Sequence, residues 1–142
     1  MESMSYALIR SRAARTLTSL HKNVFSADDA MPDFHTDLWW LLISNAEGGA
    51  AGFCGMSVLP HDPGTGYLKR AGVLPKHRGQ GLQRRMVRVR ETAARRLGLN
   101  DMITTTYHNS ASANNLIRCG YKLYDPRDPW MAKGTLYWVK LL

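Results

Sequence analysis

One stretch constrains this chain more than any other: Gly66 to Leu97, and within it Arg78-Gly79-Gln80-Gly81-Leu82. Tyr67 to Leu74 reads as a strand and Pro75 stops it. From Gly81 the apolar residues Leu82, Met86, Val89, Ala93 and Leu97 recur at the spacing of one helical face. The stretch is strand, glycine-rich turn, helix. A helix's first turn holds amide hydrogens with no intrahelical partner and the positive end of the dipole, and paired glycines let an anion reach that backbone unobstructed. Arg78 adds a charge and a forked donor set. The turn therefore reads as a seat for a phosphate or pyrophosphate. Gly-x-Gly is also a common way to leave a strand and enter a helix, so the turn alone does not decide. It is not a Walker loop, since no Gly-Lys-Ser/Thr follows, and the missing third glycine disfavours a Rossmann fingerprint.

The charge of the chain gathers around that seat. Residues 1–65 hold four Lys/Arg against seven Asp/Glu, residues 66–142 hold fifteen against four, and Lys76 to Leu97 holds eight against Glu91 alone. Arg88, Arg90, Arg95 and Arg96 read as the solvated outer face of the helix. Such a face also suits nucleic acid, but no aromatic residue interleaves with the arginines of Gln83 to Arg96, so stacking on bases is not indicated. The 142 residues, 44% hydrophobic, suffice for one domain with a sizeable core, expected to act as a monomer or homodimer. The longest apolar run, Leu38 to Ile43, is too short for a bilayer, and the N-terminus lacks a signal peptide's apolar core. The expectation is a cytoplasmic protein that uses no membrane, with Cys54 and Cys119 as reduced thiols. The five histidines and two cysteines form no metal-ligand spacing, so no metal is expected.

In chain order, Met1 to Ser5 reads as loose, Tyr6 to Ile9 as a strand, and Ser11 as the cap of a helix over Arg12 to Lys22 with Ala13, Leu17 and Leu20 inward. Asp28, Asp29 and Asp33, with His35 nearby, lie in a short helix or loop. There they either cap a surface helix or draw a cationic amine. Leu38 to Ile43 and Ala51 to Leu59 read as hairpin strands joined at Asn45 to Gly49. Trp39 and Trp40 point to opposite faces of their strand, one to the core and the other exposed or covered by a helix. Gly98 fits a helix end, Met102 to Tyr107 a strand, Asn109 to Arg118 a short helix ended by Gly120, and Tyr121 to Tyr124 and Thr135 to Leu141 the last strands. The loop between those strands carries Trp130, either part of a substrate pocket or a lid on the core.

Two motifs in one order make the turn specific. Val73-x-Pro75-x-x-Arg78-Gly79-x-Gly81 resembles the acetyl-CoA motif of the GNAT superfamily of acyl-CoA N-acyltransferases, and Asn109-x-x-Ser112 followed by Gly120-Tyr121 resembles its second motif. The resemblance covers nearly the whole chain. It implies one GNAT-like α+β domain over residues 1–142: a mostly antiparallel mixed sheet of six to seven strands, splayed between the fourth and fifth, with about four helices. It implies that acetyl-CoA is the acyl donor, with Val73, Arg78, Gly79, Gln80, Gly81, Leu82, Gln83, Arg84, Asn109 and Ser112 as the donor-site residues. The pyrophosphate would fall on the amides of Gly79 to Gln83, and the pantetheine arm would fill the splay. The loop holding Asp28 to His35 would wall the site of the acceptor, an amine-bearing substrate of unspecified identity.

Amide formation then needs an N–H for the oxyanion, near Ala71 to Val73, a route for the amine's proton, and a donor for the thiolate. Here the chain departs from the family. The position of the usual acidic tyrosine is Leu116, that of the glutamate base is Tyr67, and Gln83 replaces a small residue. The substitutes are Ser112, one helical turn before Leu116, as donor to the sulfur, and His108 or Tyr67 for the amine's proton. Each also has a structural reading, and Tyr121 matches an aromatic that the family buries. A domain that binds CoA or nucleic acid without catalysis is the alternative.

Overall fold

The computed structural model describes residues 5–142; the expectation of a loose start at Met1 to Ser5 falls, for residues 1–4, outside them. Seven strands and three α-helices follow one another as β1 (Tyr6–Arg10), α1 (Ala14–Val24), β2 (Leu38–Ser44), β3 (Ala50–Leu59), β4 (Asp62–Val73), α2 (Leu82–Arg96), β5 (Asp101–Thr106), α3 (Ser110–Arg118), β6 (Lys122–Tyr124) and β7 (Leu136–Leu141). A single 3-10 turn, Pro75–His77, precedes α2. The strands form one mixed sheet in the order β1-β2-β3-β4-β5-β7-β6. Among the described residues there are three α-helices rather than about four, because residues 26–36 form turns. Asp29 accepts the Ser26 N–H at 3.0 Å and Asp33 accepts the His35 N–H at 2.9 Å. Carboxylates that close turns in this way compete with a helical ladder, so Asp28 and Asp29 cap no surface helix.

The described chain divides into two compact units, the first reaching to Ser57 and including Lys69–Met86, the second made of Val58–Leu68 and Val87–Leu142. In the first, β1 and β2 pair antiparallel from Tyr6↔Ser44 to Arg10↔Trp40, and β2 pairs with β3 with a register shift at Leu42/Ile43. The core holds Leu17, Leu20, Phe34, Trp39, Leu41 and Phe53. Helix α1 starts later than the serine suggests. Ser11 Oγ accepts the Ala13 N–H at 3.0 Å, a turn ahead of the helix, so Ala13 is exposed and Ala14 takes its inward place. Both tryptophans are buried, Trp39 in this core and Trp40 under the Arg10 guanidinium, 5.2 Å from the ring centroid. Of the two outcomes expected for the second tryptophan, exposed or covered by a helix, exposure is excluded, and the Arg10 cation lies over the Trp40 ring.

His21 is also buried here, stacked on Phe25 at 4.7 Å, and its Nε2 has no hydrogen-bond partner among the described residues. Burial first, then the Arg70 charge, lowers its pKa from 6.5, while Asp29 acts the other way. A histidine lowered on folding binds its proton more readily when unfolded. Stability is therefore complete above pH about 6.5 and falls as pH drops through that value toward the lower folded pKa. His21→Phe should flatten the fall in the urea midpoint between pH 7 and 5; an unchanged pH profile would show that His21 does not set it.

In the second unit β4 and β5 pair in parallel over Thr65↔Asp101, Gly66↔Met102 and Tyr67↔Ile103, and β7 lies between β5 and β6 with antiparallel ladders to both. The parallel ladder stops there although both strands continue. Thr104 Oγ1 donates to the Leu68 carbonyl at 3.0 Å, so a side chain takes the acceptor that the next rung would use. This is the parting expected between the fourth and fifth strands.

Helix α2 differs from its periodicity. Leu82, Met86, Val87, Arg90, Glu91 and Ala94 are buried, Val89 and Ala93 are half-buried, and Leu97 is 54% exposed. The buried face includes a charged pair that a count of apolar residues passes over. Arg90, expected outside, is 2% exposed, whereas Arg88, Arg95 and Arg96 are solvated as expected. Gly98 ends the helix with φ 78°, and Gly120 follows α3 with φ 92°. Cys54 and Cys119 are in no disulfide, and no helix of the described residues is long and apolar enough to cross a membrane.

Candidate donor site

The first unit carries the residues expected to seat a phosphate. Strand β4 ends at Val73, the Leu74 N–H donates to the Ala51 carbonyl at 2.8 Å, and Pro75 opens the 3-10 turn. The chain then passes through Gly79 at φ 80° and Gly81 at φ 73° into α2. A side chain at either glycine would be strained by that backbone angle rather than by crowding. A Cβ at 79 meets nothing within 4 Å, and one at 81 meets only the Arg84 guanidinium at 3.6 Å. The open side of the turn is thus free for a ligand, with Arg78, Gly79, Gln80 and Gly81 all exposed.

What fixes the turn is a network beneath it. The Gln80 side-chain amide donates to the Tyr6 hydroxyl at 3.0 Å and to the His77 carbonyl at 3.2 Å. The Tyr6 hydroxyl lies 2.8 Å from His77 Nδ1. If Gln80 donates to that oxygen, the hydroxyl hydrogen goes to Nδ1, which assigns the neutral ring its proton at Nε2, facing Glu47 at 3.7 Å. Lys76 pairs with Glu47 at 2.9 Å and holds its pKa below the usual carboxylate value. Arg85 Nη2 donates to the Tyr6 carbonyl at 3.1 Å. The turn and the start of α2 are therefore tied to β1 by side-chain hydrogen bonds.

Each expected donor residue has a definite place. Val73 is buried and offers backbone only, its carbonyl accepting from Arg78 Nε at 3.0 Å. That bond orients the guanidinium beside the turn. Gln80 spends its side-chain nitrogen on the network, and Leu82 is buried. Gln83 and Arg84 are half-buried on the first helical turn. His77, Tyr6 and Arg85 were not among the sequence candidates. His77 stands one residue before Arg78, but its partner Tyr6 is 71 positions away and gives no local signal.

The second motif lies in the second unit and begins α3. Asn109 Oδ1 accepts the Ser112 N–H at 3.0 Å, so asparagine and serine at this spacing start a helix. Ser112 is half-buried on the first turn, and Leu116, one turn on, is 6% exposed. His108 is exposed at φ 47°, its ring 4.2 Å from that of Tyr107. The Tyr67 hydroxyl meets Thr105 Oγ1 at 3.0 Å. Trp130 is half-exposed and packs against the ring of the buried Tyr137, 4.7 Å away. Tyr121 is buried and donates to Glu91 Oε2 at 2.8 Å; burial above all, with Glu91 beside it, pushes its pKa far up. That phenol is structural, as its place in the motif implies. Among the described residues no cluster of His, Cys, Asp and Glu suits a metal ion.

Sheet order, the parallel β4 and β5 pair and the strand-turn-helix define a GNAT-type acyltransferase fold. The chain matches the Acetyltransferase (GNAT) family over residues 12–121 and belongs to it. Similar solved structures include an acetyltransferase of the GNAT family from Staphylococcus aureus Mu50, at TM-score 0.78 and 13% identity over 96% of this chain and 98% of that one. Spermidine/spermine N-acetyltransferase SpeG from Vibrio cholerae superposes at 0.73 with 11% identity, over 99% and 95%. The yncA protein from Salmonella typhimurium, solved with acetyl-CoA, superposes at 0.72 with 16% identity, over 96% and 94%. At these identities the likeness speaks for the fold. No curated protein sequence matches the chain significantly.

Proposed function

We propose that residues 1–142 act as one acyltransferase domain that moves an acetyl group from acetyl-CoA to a primary amine in a ternary complex. The observation that carries this reading is the prebuilt turn: two left-handed glycines, an oriented arginine and the start of a fifteen-residue helix. Such a helix start offers unpaired amides and a positive dipole end to the pyrophosphate, supplied here by Gly79 to Gln83, with Arg78 and Arg84 adding charge. The second motif adds Asn109 and Ser112 to the donor residues. The setting is proposed as cytoplasmic.

In the reaction the amine nitrogen attacks the thioester carbon, a backbone N–H near Ala71 to Val73 stabilises the oxyanion, and the C–S bond breaks. An alkyl amine with a pKa of about 10 must first lose a proton, for which His108 and, through water, Tyr67 are the candidate acceptors. The proton that the nitrogen sheds after attack goes to the leaving thiolate, whose sulfur accepts a hydrogen bond from the Ser112 hydroxyl. Proximity supplies much of the remaining acceleration, and no covalent enzyme intermediate is needed.

Thiol release from acetyl-CoA with a panel of primary amines tests this. Ser112→Ala should lower kcat about tenfold while leaving the acetyl-CoA Kd within about twofold; wild-type kcat would make Ser112 structural. One observation favours a second reading: with Leu116 buried where the acidic tyrosine would stand, acetyl-CoA binding without thiol release from any amine would mark a catalytically degenerate CoA-binding module.

A further inference from the structure

Gln80 stands between Gly79 at φ 80° and Gly81 at φ 73°, in a turn whose residues Arg78 to Gly81 are exposed. Glycine constrains a backbone least of all residues, so a turn of this composition is held only weakly by its own chain. Its amides converge on an anion when something outside the turn fixes them. The residue that meets both sides of the turn is Tyr6, on the edge strand β1 of the same unit. Its hydroxyl accepts from Gln80 Nε2 at 3.0 Å, inside the turn, and its carbonyl accepts from Arg85 Nη2 at 3.1 Å, near the start of α2. One residue thereby ties the glycine turn and the helix start to a common point.

The hydroxyl is itself held. It lies 2.8 Å from His77 Nδ1, and the two rings meet edge to face at 5.6 Å. With Gln80 donating to the oxygen, the hydroxyl hydrogen is directed to Nδ1, so the donor and acceptor roles along Gln80, Tyr6 and His77 run one way. Gln80 Nε2 also donates to the His77 carbonyl at 3.2 Å and closes the ring of contacts. Tyr6 and His77 are both buried, where a hydrogen bond is electrostatically stronger than in water. Resting on the reading of this turn as the donor seat, we propose that Tyr6 is a positioning residue for acetyl-CoA: its hydroxyl, acting through Gln80, holds the amides of Gly79 to Gln83 in the pyrophosphate-binding arrangement before the donor arrives. The entropy of ordering two glycines is then lost on folding rather than on binding. The effect of Tyr6 therefore falls on donor affinity and not on the chemical step.

A double-mutant cycle tests this: Tyr6→Phe, Gln80→Met and the two together, read as the acetyl-CoA Kd by calorimetry. Phenylalanine keeps the ring against His77 and the backbone bond from Arg85, so the hydroxyl alone is lost. Each single variant should weaken acetyl-CoA about tenfold. The double variant should lie within about twofold of Gln80→Met, because the hydroxyl then has no partner left in the turn. With an amine that releases thiol, Tyr6→Phe should raise the acetyl-CoA KM about tenfold while kcat at saturating acetyl-CoA stays within about twofold of wild type. Leu20→Val, in the core of the same unit and outside the network, should lower the urea midpoint and leave the Kd unchanged, which separates positioning from general loosening. A wild-type Kd in Tyr6→Phe, losses that multiply in the double variant, or an equal loss in Leu20→Val would overturn the proposal and leave the donor seat in place. If Tyr6→Phe does not fold, Gln80→Met on the exposed turn decides: weakening of about tenfold supports the tie, and a wild-type Kd refutes it. Failure of acetyl-CoA to bind the wild type would instead remove the donor reading itself, and the proposal with it.

Discussion

A Gly81→Asp protein is expected to fold and to lose acetyl-CoA, with affinity at least a hundredfold weaker. Position 81 faces open space except for the Arg84 guanidinium 3.6 Å from a built Cβ, so the new carboxylate would stand in the proposed anion seat and engage a cation proposed to serve the ligand. A hundredfold is about 2.8 kcal/mol, the scale of removing one charge-assisted hydrogen bond and introducing one repulsion. Backbone strain is separated from charge by Gly81→Asn, a residue that tolerates φ near 73°. The asparagine variant should lose far less affinity than the aspartate. Calorimetry on both, with circular dichroism for folding, reads the result; equal affinities for the two variants would mean that charge at the turn is irrelevant.

The second large effect is on stability. Glu91 is 3% exposed on α2 and accepts from the Tyr121 hydroxyl and, at 3.1 Å, from Lys140 Nζ, which also donates to the Cys119 carbonyl at 2.7 Å. One carboxylate thereby joins α2, the end of α3 and β7. Glu91→Ala leaves a buried phenol and a half-buried ammonium without their acceptor and should cost about 3 kcal/mol, read from the urea midpoint. Glu91→Gln, which still accepts from Tyr121, should cost less. A change under about 0.5 kcal/mol for the alanine variant would show that the cluster is no strut.

That strut also shows where the sequence stopped being informative. Periodicity found α2, and Pro75, Gly98 and Gly120 marked the ends of β4, α2 and α3, because these are local preferences of backbone and side chain. The face of α2 was drawn through Val89, Ala93 and Leu97 because only apolar residues counted, whereas the buried stripe turns through Arg90 and Glu91, and the partners of Glu91 come from distant positions. The glycine turn was legible for the same local reason, since glycine pairs and a helix start are contiguous. The support under it was not: Tyr6, His77 and Gln80 meet across more than seventy positions, and nothing near Tyr6 announces it. Likewise nothing local announced that Asp29 and Asp33 accept N–H groups of their own loop.

The central claim is that the turn at Arg78 to Leu82 seats acetyl-CoA. Calorimetric titration of the wild-type protein with acetyl-CoA at low and high salt tests it most directly. Micromolar or tighter binding that weakens as salt rises, with desulfo or dephospho analogues competing in proportion to their phosphates, is the predicted result. No binding at either salt concentration would contradict the account and leave the glycine turn as a turn alone.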